Sequence, residues 1–292
     1  MTARVSRAAR LAIAGAALAS LLAPRAPLGA QTVYHPVREH AEWRAAFDSA
    51  GVRGTFVLRR LGGGDGGTSQ PDDVFDAARA RRRYLPASTF KIPNSLIALE
   101  LGVVRDERER FAVTWPRQPV ESWNRPHTFA TALKHSVVPV YQIVARRVGE
   151  ARYRRWLARL DYGNRDPGGG VDRFWLDGDL RISALEQVAF LERLAARRLP
   201  LSERSQRIVR DMLVREANDC YVLRAKTGLV GVSARSLSPE EGVGWYVGWV
   251  ETDSASWAFA LNIDVRKDGD SAARQRVARE ILGKAGVLAT GC

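Results

Sequence analysis

The chain has 292 residues, of which 46% are hydrophobic and 26% charged, and that length can bury a sizeable core as one large domain or as two lobes. Its formal net charge is +13 at pH 7, but the basic residues are spread among acids, which favours a solvated surface over a nucleic-acid interface. The four histidines and two cysteines lack the spacing of metal ligands, so we expect no structural metal.

The first thirty residues have the pattern of a secretory signal peptide. Arginines near the start precede an apolar run from Leu11 to Ala23, and the segment ends in small residues. The run is too short to span a bilayer, and no later segment reaches 18 apolar residues. We therefore expect residues 1–30 to be removed on export, and residues 31–292 to form one domain in the periplasm without a membrane anchor.

One strand and a series of helices are predicted before residue 200. Residues 39–50 have the pattern of a surface helix, and Gly54–Leu58 that of a strand. Phe90–Leu101 has the apolar spacing of a buried helix, although Pro93 prevents a fully regular first turn. Three further helices are predicted at residues 131–148, 151–160 and 184–197.

The C-terminal third is rich in Tyr, Val, Trp and Phe, which favour strands. Strands are predicted at Tyr221–Ala225, Gly244–Val250 and Trp257–Ile263, and an amphipathic helix at Ser271–Ala285. Together with the early strand they indicate an α+β fold. In this fold an antiparallel sheet is completed by both ends of the chain and flanked by helices, beside an all-helical lobe at roughly residues 90–215.

The stretch PASTFKIPN places Ser88 three residues before Lys91, so one turn of helix brings the hydroxyl and the amine together. A serine becomes a good nucleophile when a nearby base accepts its proton. A lysine with a pKa near 10.4 is protonated at neutral pH, whereas burial lowers that pKa and frees the amine. About one such spacing is expected by chance in a chain of this length, so on this motif alone a helix-surface pair remains the alternative.

A second element, Lys226-Thr227-Gly228, directly follows the predicted strand Tyr221–Ala225. A lysine and a threonine hydroxyl at a strand end can meet an anionic substrate, and a glycine lets a ligand approach the backbone. The chain has only five lysines, and two of them stand in these two motifs. The order and element types match those of penicillin-recognising serine enzymes.

Three short motifs lie between these two elements. Ser136-Val137-Val138 is followed by Tyr162-Gly163-Asn164 and then by Phe174–Gly178, FWLDG. In order and approximate spacing, the five motifs together resemble those of the class D, or oxacillinase-type, serine β-lactamases. The resemblance implies the fold shared with penicillin-binding transpeptidases and one catalytic domain. It also implies β-lactam resistance through hydrolysis of the β-lactam amide of penicillins, those of the oxacillin type included, by way of an acyl-serine intermediate.

The resemblance implies catalytic roles for four residues. Ser88 is expected to attack the lactam carbonyl, with Lys91 as the base after carbon dioxide has carboxylated its amine. Ser136 is expected to pass a proton to the lactam nitrogen, with Lys226 supporting it electrostatically. Carbon dioxide or bicarbonate is the one co-reactant implied, so we expect no other cofactor.

The resemblance also implies which residues line the site. The backbone N–H groups of Ser88 and Leu229 are expected to form the oxyanion hole, and Gly228 lets the substrate approach the strand. Val138 is expected to be an apolar wall. The indole N–H of Trp175 is expected to donate a hydrogen bond to the carboxylated lysine.

Two residues are expected to hold the carboxylate of the small β-lactam substrate. One is Thr227, and the other is an arginine at the start of the closing helix, because a guanidinium binds a carboxylate in a fork. We assign Arg274 to this role, while Arg266 and Arg276 are close enough in sequence to remain alternatives.

Several alternatives stay open at the level of sequence. A penicillin-binding protein or a β-lactam sensor domain shares the fold and the acylation step without fast turnover, and a non-enzymatic envelope-binding module would not be acylated at all. The connection between Gly228 and Gly244 is longer than in several family members, which leaves the substrate range, including carbapenems, undetermined. The protein is expected to be a monomer or a homodimer.

Overall fold

The computed structural model describes residues 35–62, 70–231, 242–267 and 269–288. The predicted signal peptide, Cys292 and residues 232–241 of the connection between Gly228 and Gly244 lie outside these ranges. No helix in the described ranges is both long enough and apolar enough to cross a membrane.

Most strands of the described chain belong to one large sheet. The strands are β1 (Val37–Glu39), β2 (Gly54–Leu61), β3 (Asp72–Phe75), β4 (Arg110–Phe111), β5 (His127–Thr128), β6 (Val214–Ala217), β7 (Val222–Val230), β8 (Val243–Glu251) and β9 (Ser256–Asp264). Seven of them form a sheet in the order β1-β3-β2-β9-β8-β7-β6, while β4 and β5 pair separately. The predicted antiparallel sheet, built from both ends of the chain, is confirmed, with one parallel pair, β1 and β3, at its edge.

Helices cover both faces of this sheet. They are α1 (Arg44–Ala50), α2 (Ala77–Arg81), α3 (Lys91–Glu100), α4 (Phe129–Lys134), α5 (Val138–Val148), α6 (Glu150–Leu160), α7 (Ala184–Ala195), α8 (Glu203–Met212) and α9 (Ala273–Lys284). One apolar core lies between the sheet and the pair α1 and α9. A larger core lies on the opposite face, between the sheet and the helical lobe formed by α3 to α8. Because both faces of β8 are covered, nearly all of its residues are buried.

The strands are longer than their sequence patterns predict. β7 was predicted to end at Ala225, yet it runs through Lys226-Thr227-Gly228 to Val230, because each of these residues pairs with a residue of β8. Neither β3 nor β6 was predicted, since both are only four residues long and carry charged residues. The extension of β7 puts the K-T-G motif inside the sheet.

A buried ion-pair network ties the sheet to α7. The guanidinium of Arg59 in β2 is 2% exposed and binds both carboxylate oxygens of Asp72 in β3, at 2.6 and 2.7 Å. Its third contact is Glu192 of α7, at 2.7 Å. Such a bidentate pair compensates for the loss of hydration that burial of both charges entails.

Candidate active site

The first pair of candidate residues forms within one turn of the chain. Ser88 lies in a 3-10 turn, Ala87–Phe90, that leads directly into α3, and Lys91 is the first residue of that helix. The Nζ of Lys91 donates a hydrogen bond to the Oγ of Ser88 over 2.7 Å. The irregular start expected from Pro93 is therefore present as a 3-10 turn, and it brings the amine onto the hydroxyl.

The backbone beside Ser88 is held in an uncommon conformation. Ala87 has a φ of +50°, in the left-handed region that costs a residue with a Cβ free energy. Its N–H donates to the carbonyl oxygen of Trp175 over 3.0 Å. Ser136 also has a positive φ, +59°. Strain of this kind persists where the surrounding structure fixes the chain, and it clusters at functional sites.

Lys91 is buried without a counter-ion. Its side chain is fully inaccessible, and burial lowers its pKa from 10.5 to about 7. In the described ranges no carboxylate pairs with it, and its Nζ lies 5.2 Å from the centre of the Tyr141 ring. At pH 7 the amine is therefore neutral in about half of the molecules, compared with roughly one in 3,000 for a lysine with its usual pKa.

Trp175 contributes an unsatisfied donor to the same region. The indole stacks on Phe90 with ring centres 5.4 Å apart and is fully buried. Its Nε1 has no hydrogen-bond partner within the described part of the chain. A buried N–H without an acceptor costs roughly 1–3 kcal/mol. The indole therefore presents a vacant hydrogen-bond donor in an apolar site.

The second pair joins residues 90 positions apart. The Nζ of Lys226 in β7 donates to the Oγ of Ser136 over 2.7 Å and to the carbonyl oxygen of Thr227 over 2.8 Å. Lys226 is 2% exposed, and burial, followed by the nearby charges of Lys91, Arg215 and Arg274, holds its pKa well below the usual value. Its ammonium is therefore a stronger acid than that of a solvated lysine.

Within the described ranges, one edge of β7 pairs with no strand after Arg224, and we call it the open edge. β6 pairs only with Val222–Arg224, and the N–H of Ala225 still donates toward that side, to Leu213. Because backbone groups alternate along a strand, the N–H groups of Thr227 and Leu229 point to the same edge. The N–H of Leu229 is thus available to a ligand lying along the strand.

Gly228 allows β7 to lie against the turn that carries Ser88. A Cβ at this position would be 3.0 Å from the carbonyl oxygen of Pro86 and 3.1 Å from the Cγ2 of Thr89. Pro86 directly precedes the 3-10 turn that carries Ser88, and Thr89 lies within it, so a larger residue would push the strand away from this turn. The glycine thus brings the two lysine motifs together.

Of the three arginines considered, the structure places Arg274 beside the K-T-G strand. Its side chain is half-buried, its Nη1 donates to the carbonyl oxygen of Gly228, and burial lowers its pKa to about 10, so it is charged at neutral pH. Arg266 instead pairs with Asp264, and Arg276 is exposed. Arg274 alone of the three contacts the strand.

Comparison with known proteins places these residues in a family. The model for the penicillin-binding protein transpeptidase domain matches residues 65–283. β-Lactamase OXA-48 of Klebsiella pneumoniae is 44% identical over 266 residues, which are 91% of this chain and 96% of the relative. β-Lactamase OXA-10 of Pseudomonas aeruginosa is 39% identical over 252 residues, covering 86% and 91%.

A solved structure agrees with the sequence comparison. The class D β-lactamase FUS-1 (OXA-85) from Fusobacterium nucleatum subsp. polymorphum superposes with a TM-score of 0.79 at 33% identity, over 86% of this chain and all of the other. The chain belongs to the class D β-lactamases. The family and the α+β serine β-lactamase fold predicted from the motifs are therefore confirmed.

In this class D β-lactamase, Val138 and the Tyr-Gly-Asn motif are the remaining predicted features. Val138 begins α5 two residues after Ser136 and is half-buried. Tyr162 is buried beneath the site, and Asn164 fixes its loop by binding the backbone of Asp179 and Arg181. The Tyr-Gly-Asn motif thus shapes the loop.

Sequence reasoning missed one charged residue of this class D β-lactamase. Arg215 of β6 is half-buried, its Nε donates to the carbonyl oxygen of Ala225, and its charge acts on Lys226. No motif contains it, and the strand that carries it was not predicted. Only the pairing of β6 with β7 brings it to the site.

Proposed function

We propose that this protein opens the β-lactam ring of penicillins through an acyl-Ser88 intermediate and then hydrolyses that intermediate. The observation that carries the proposal is the contact of fully buried Lys91 with Ser88, 2.7 Å apart, at a pKa near neutrality. A base with a pKa close to the working pH is well suited to take and return a proton. Membership of the class D β-lactamases supports the reaction type.

In the acylation step, Ser88 Oγ attacks the lactam carbonyl carbon while its proton passes to the base at Lys91. The oxygen that gains negative charge is bound by the N–H groups of Ser88 and Leu229, a kind of contact worth roughly 2.7–4 kcal/mol in other hydrolases. The C–N bond of the lactam then breaks. The departing nitrogen takes a proton from Ser136 Oγ, which Lys226 replenishes across their 2.7 Å hydrogen bond.

The substrate carboxylate is held beside Thr227 and Gly228 of the K-T-G motif. Thr227 supplies a hydroxyl there, and Arg274 supplies a guanidinium that remains charged at neutral pH. Gly228 keeps the strand close to Ser88, so the lactam carbonyl and the carboxylate are bound along one edge. Val138 and the ring of Trp175 exclude water from the base.

We further propose that Lys91 is carboxylated on Nζ by carbon dioxide. The residues present fit this group, because the reaction needs a neutral amine and Lys91 provides one at neutral pH. The vacant indole N–H of Trp175 would hold an added oxygen atom. When bound, the carboxyl group supplies an anionic base for both half-reactions.

We also propose that residues 1–30 direct export and that residues 31–292 form one catalytic domain in the periplasm, as a monomer or a homodimer. The arginine-bearing start and the apolar run from Leu11 to Ala23 support export. The intact mass of protein recovered from the periplasm of expressing cells tests the cleavage site, and light scattering of that protein tests the oligomeric state.

The test of the main proposal is steady-state hydrolysis of benzylpenicillin and oxacillin by the purified mature protein, with and without bicarbonate. We expect turnover that rises with bicarbonate, together with a carbamate signal in ¹³C NMR after addition of ¹³C-bicarbonate. A stable acyl adduct by intact mass without turnover would instead identify a penicillin-binding or sensor protein. Absence of both turnover and adduct would refute acyl transfer at Ser88.

A further inference from the structure

Arg215 lies at a break in the pairing between β6 and β7. Val214 and Glu216 pair with consecutive residues of β7, so Arg215 is the extra residue of a β-bulge. Bulges often redirect a side chain beside an active site. Here the side chain follows the edge of β7, and its Nε donates to the carbonyl oxygen of Ala225 over 2.9 Å.

This contact puts the guanidinium at one end of the open edge. The backbone groups of Ala225, Thr227 and Leu229 point to the same side of β7, and Thr227 follows Ala225 by about 7 Å along a strand. The nearby charge of Arg215 also acts on Lys226. The guanidinium therefore stands next to the surface along which the substrate is proposed to bind.

The donors of Arg215 are only partly used. Within the described ranges, neither Nη makes a hydrogen bond and no carboxylate forms an ion pair with the residue. The side chain is nevertheless half-buried, and burial lowers its pKa. Burying a cation without a counter-ion is unfavourable, and binding an anion offsets that cost.

Within the described ranges, the titratable groups that interact with Arg215 supply no anion. Tyr141 of α5 and Tyr246 of β8 present neutral hydroxyls, since burial holds the pKa of each well above its usual value. Lys226 of β7 and His135, beside Ser136, are the other titratable groups that its charge affects, and both carry a positive charge when protonated. The charges of the described residues that act on Lys226 are likewise cationic.

We propose that Arg215 is a second guanidinium contact for the ring carboxylate of the β-lactam substrate. This inference rests on the proposed function. Arg274 binds the strand at Gly228 and Arg215 binds it at Ala225, so the two guanidinium groups flank the K-T-G segment. A planar guanidinium whose two Nη groups make no hydrogen bond to any described residue matches the two oxygens of a carboxylate.

The test compares a charged and an uncharged form of one substrate. Benzylpenicillin and its methyl ester are assayed with the wild type, Arg215→Met, Arg215→Lys and the control Arg207→Met, which removes an exposed arginine of α8. For Arg215→Met we expect a KM for benzylpenicillin raised about 10-fold or more, the scale of one charge-assisted hydrogen bond. We expect kcat/KM for the ester within about twofold of the wild type. Arg215→Lys is expected to restore part of the loss, and Arg207→Met to change neither substrate.

Two outcomes overturn the inference. An equal loss on the acid and the ester would mean that Arg215 acts through Lys226 or through the fold, and an unchanged KM for the acid would mean that it makes no contact. If Arg215→Met fails to fold by near-ultraviolet circular dichroism, the acid-to-ester ratio of Arg215→Lys and Arg215→Gln decides in its place. A wild type that turns over neither substrate would refute the proposed function itself, a result that the variants cannot mimic.

Discussion

Replacing Lys91 with methionine should stabilise the fold while abolishing turnover. Methionine has a similar length and no charge, so it fills the same apolar space without needing a partner. Lys91 is fully buried, lacks a counter-ion in the described ranges, and has a pKa lowered from 10.5 to about 7 by burial. The wild type thus loses stability by keeping an amine where the chemistry needs one.

The size of the effect follows from the pKa difference. One pKa unit corresponds to 1.36 kcal/mol, and the unfolded chain binds more protons than the folded chain between pH 7 and 10.5. The wild type therefore gains stability as pH rises through that window, and the full penalty, about 5 kcal/mol, applies below pH 7. At pH 7 the advantage of Lys91→Met should be about 4 kcal/mol, and at pH 9.5 about 1.5 kcal/mol.

The assay is urea unfolding at both pH values in buffers free of carbon dioxide, since carboxylation would stabilise the wild type. The lost hydrogen bond to Ser88 subtracts about 1 kcal/mol from the advantage at each pH, so the measured advantage should be about 3 kcal/mol at pH 7 and about 0.5 kcal/mol at pH 9.5. Lys134→Met, at an exposed position, is the control and should change the free energy of unfolding by less than about 0.5 kcal/mol. A Lys91→Met protein less stable than the wild type at pH 7, or one that still turns over penicillin, would refute the reasoning.

Three further substitutions test the site and the fold. Trp175→Phe keeps an apolar ring but removes the vacant indole donor. The ¹³C carbamate signal at fixed bicarbonate should therefore fall about 10-fold and recover at high bicarbonate. The same dependence of the signal on bicarbonate concentration as in the wild type would contradict this. Gly228→Ala puts a Cβ 3.0 Å from the carbonyl oxygen of Pro86. The kcat/KM for penicillin hydrolysis should fall at least about 10-fold with little change in thermal stability. Unchanged kinetics would show that the strand can move to accommodate the methyl group. Arg59→Met removes both hydrogen bonds to the buried carboxylate of Asp72, leaving, among the described residues, only the His35 ring 3.8 Å away, and should cost about 3–5 kcal/mol in urea unfolding, whereas Arg38→Met, at an exposed ion pair, should cost less than about 1 kcal/mol. Equal losses for the two arginine variants would contradict the burial argument.

Features that depend on neighbouring residues could be predicted from sequence. The contact of Lys91 with Ser88 needs only one turn of chain, and Pro93 indicated that this turn would be irregular. The strands β8 and β9 were placed to within one residue at each end, because their aromatic and β-branched runs are bounded by polar turns.

Features that depend on distant pairing were not predictable in the same way. β3 and β6 are short and polar, so their strand conformation follows from the neighbours with which they pair. The choice of Arg274 over Arg266 and Arg276 also needed the structure, since it depends on how α9 lies against β7. Arg215 was missed because a bulge, which no local pattern signals, turns it toward the site.

The sequence by itself determined the chemistry available to this protein, because a serine, two lysines and a second serine in recognisable motifs specify a family and a reaction type. Tertiary structure decided whether that chemistry can operate. A lysine in isolation has a pKa near 10.4 and is no base at neutral pH. Burial in the folded chain removes water from Lys91 and lowers its pKa to about 7, and the position of β7 in the sheet brings Lys226 to Ser136.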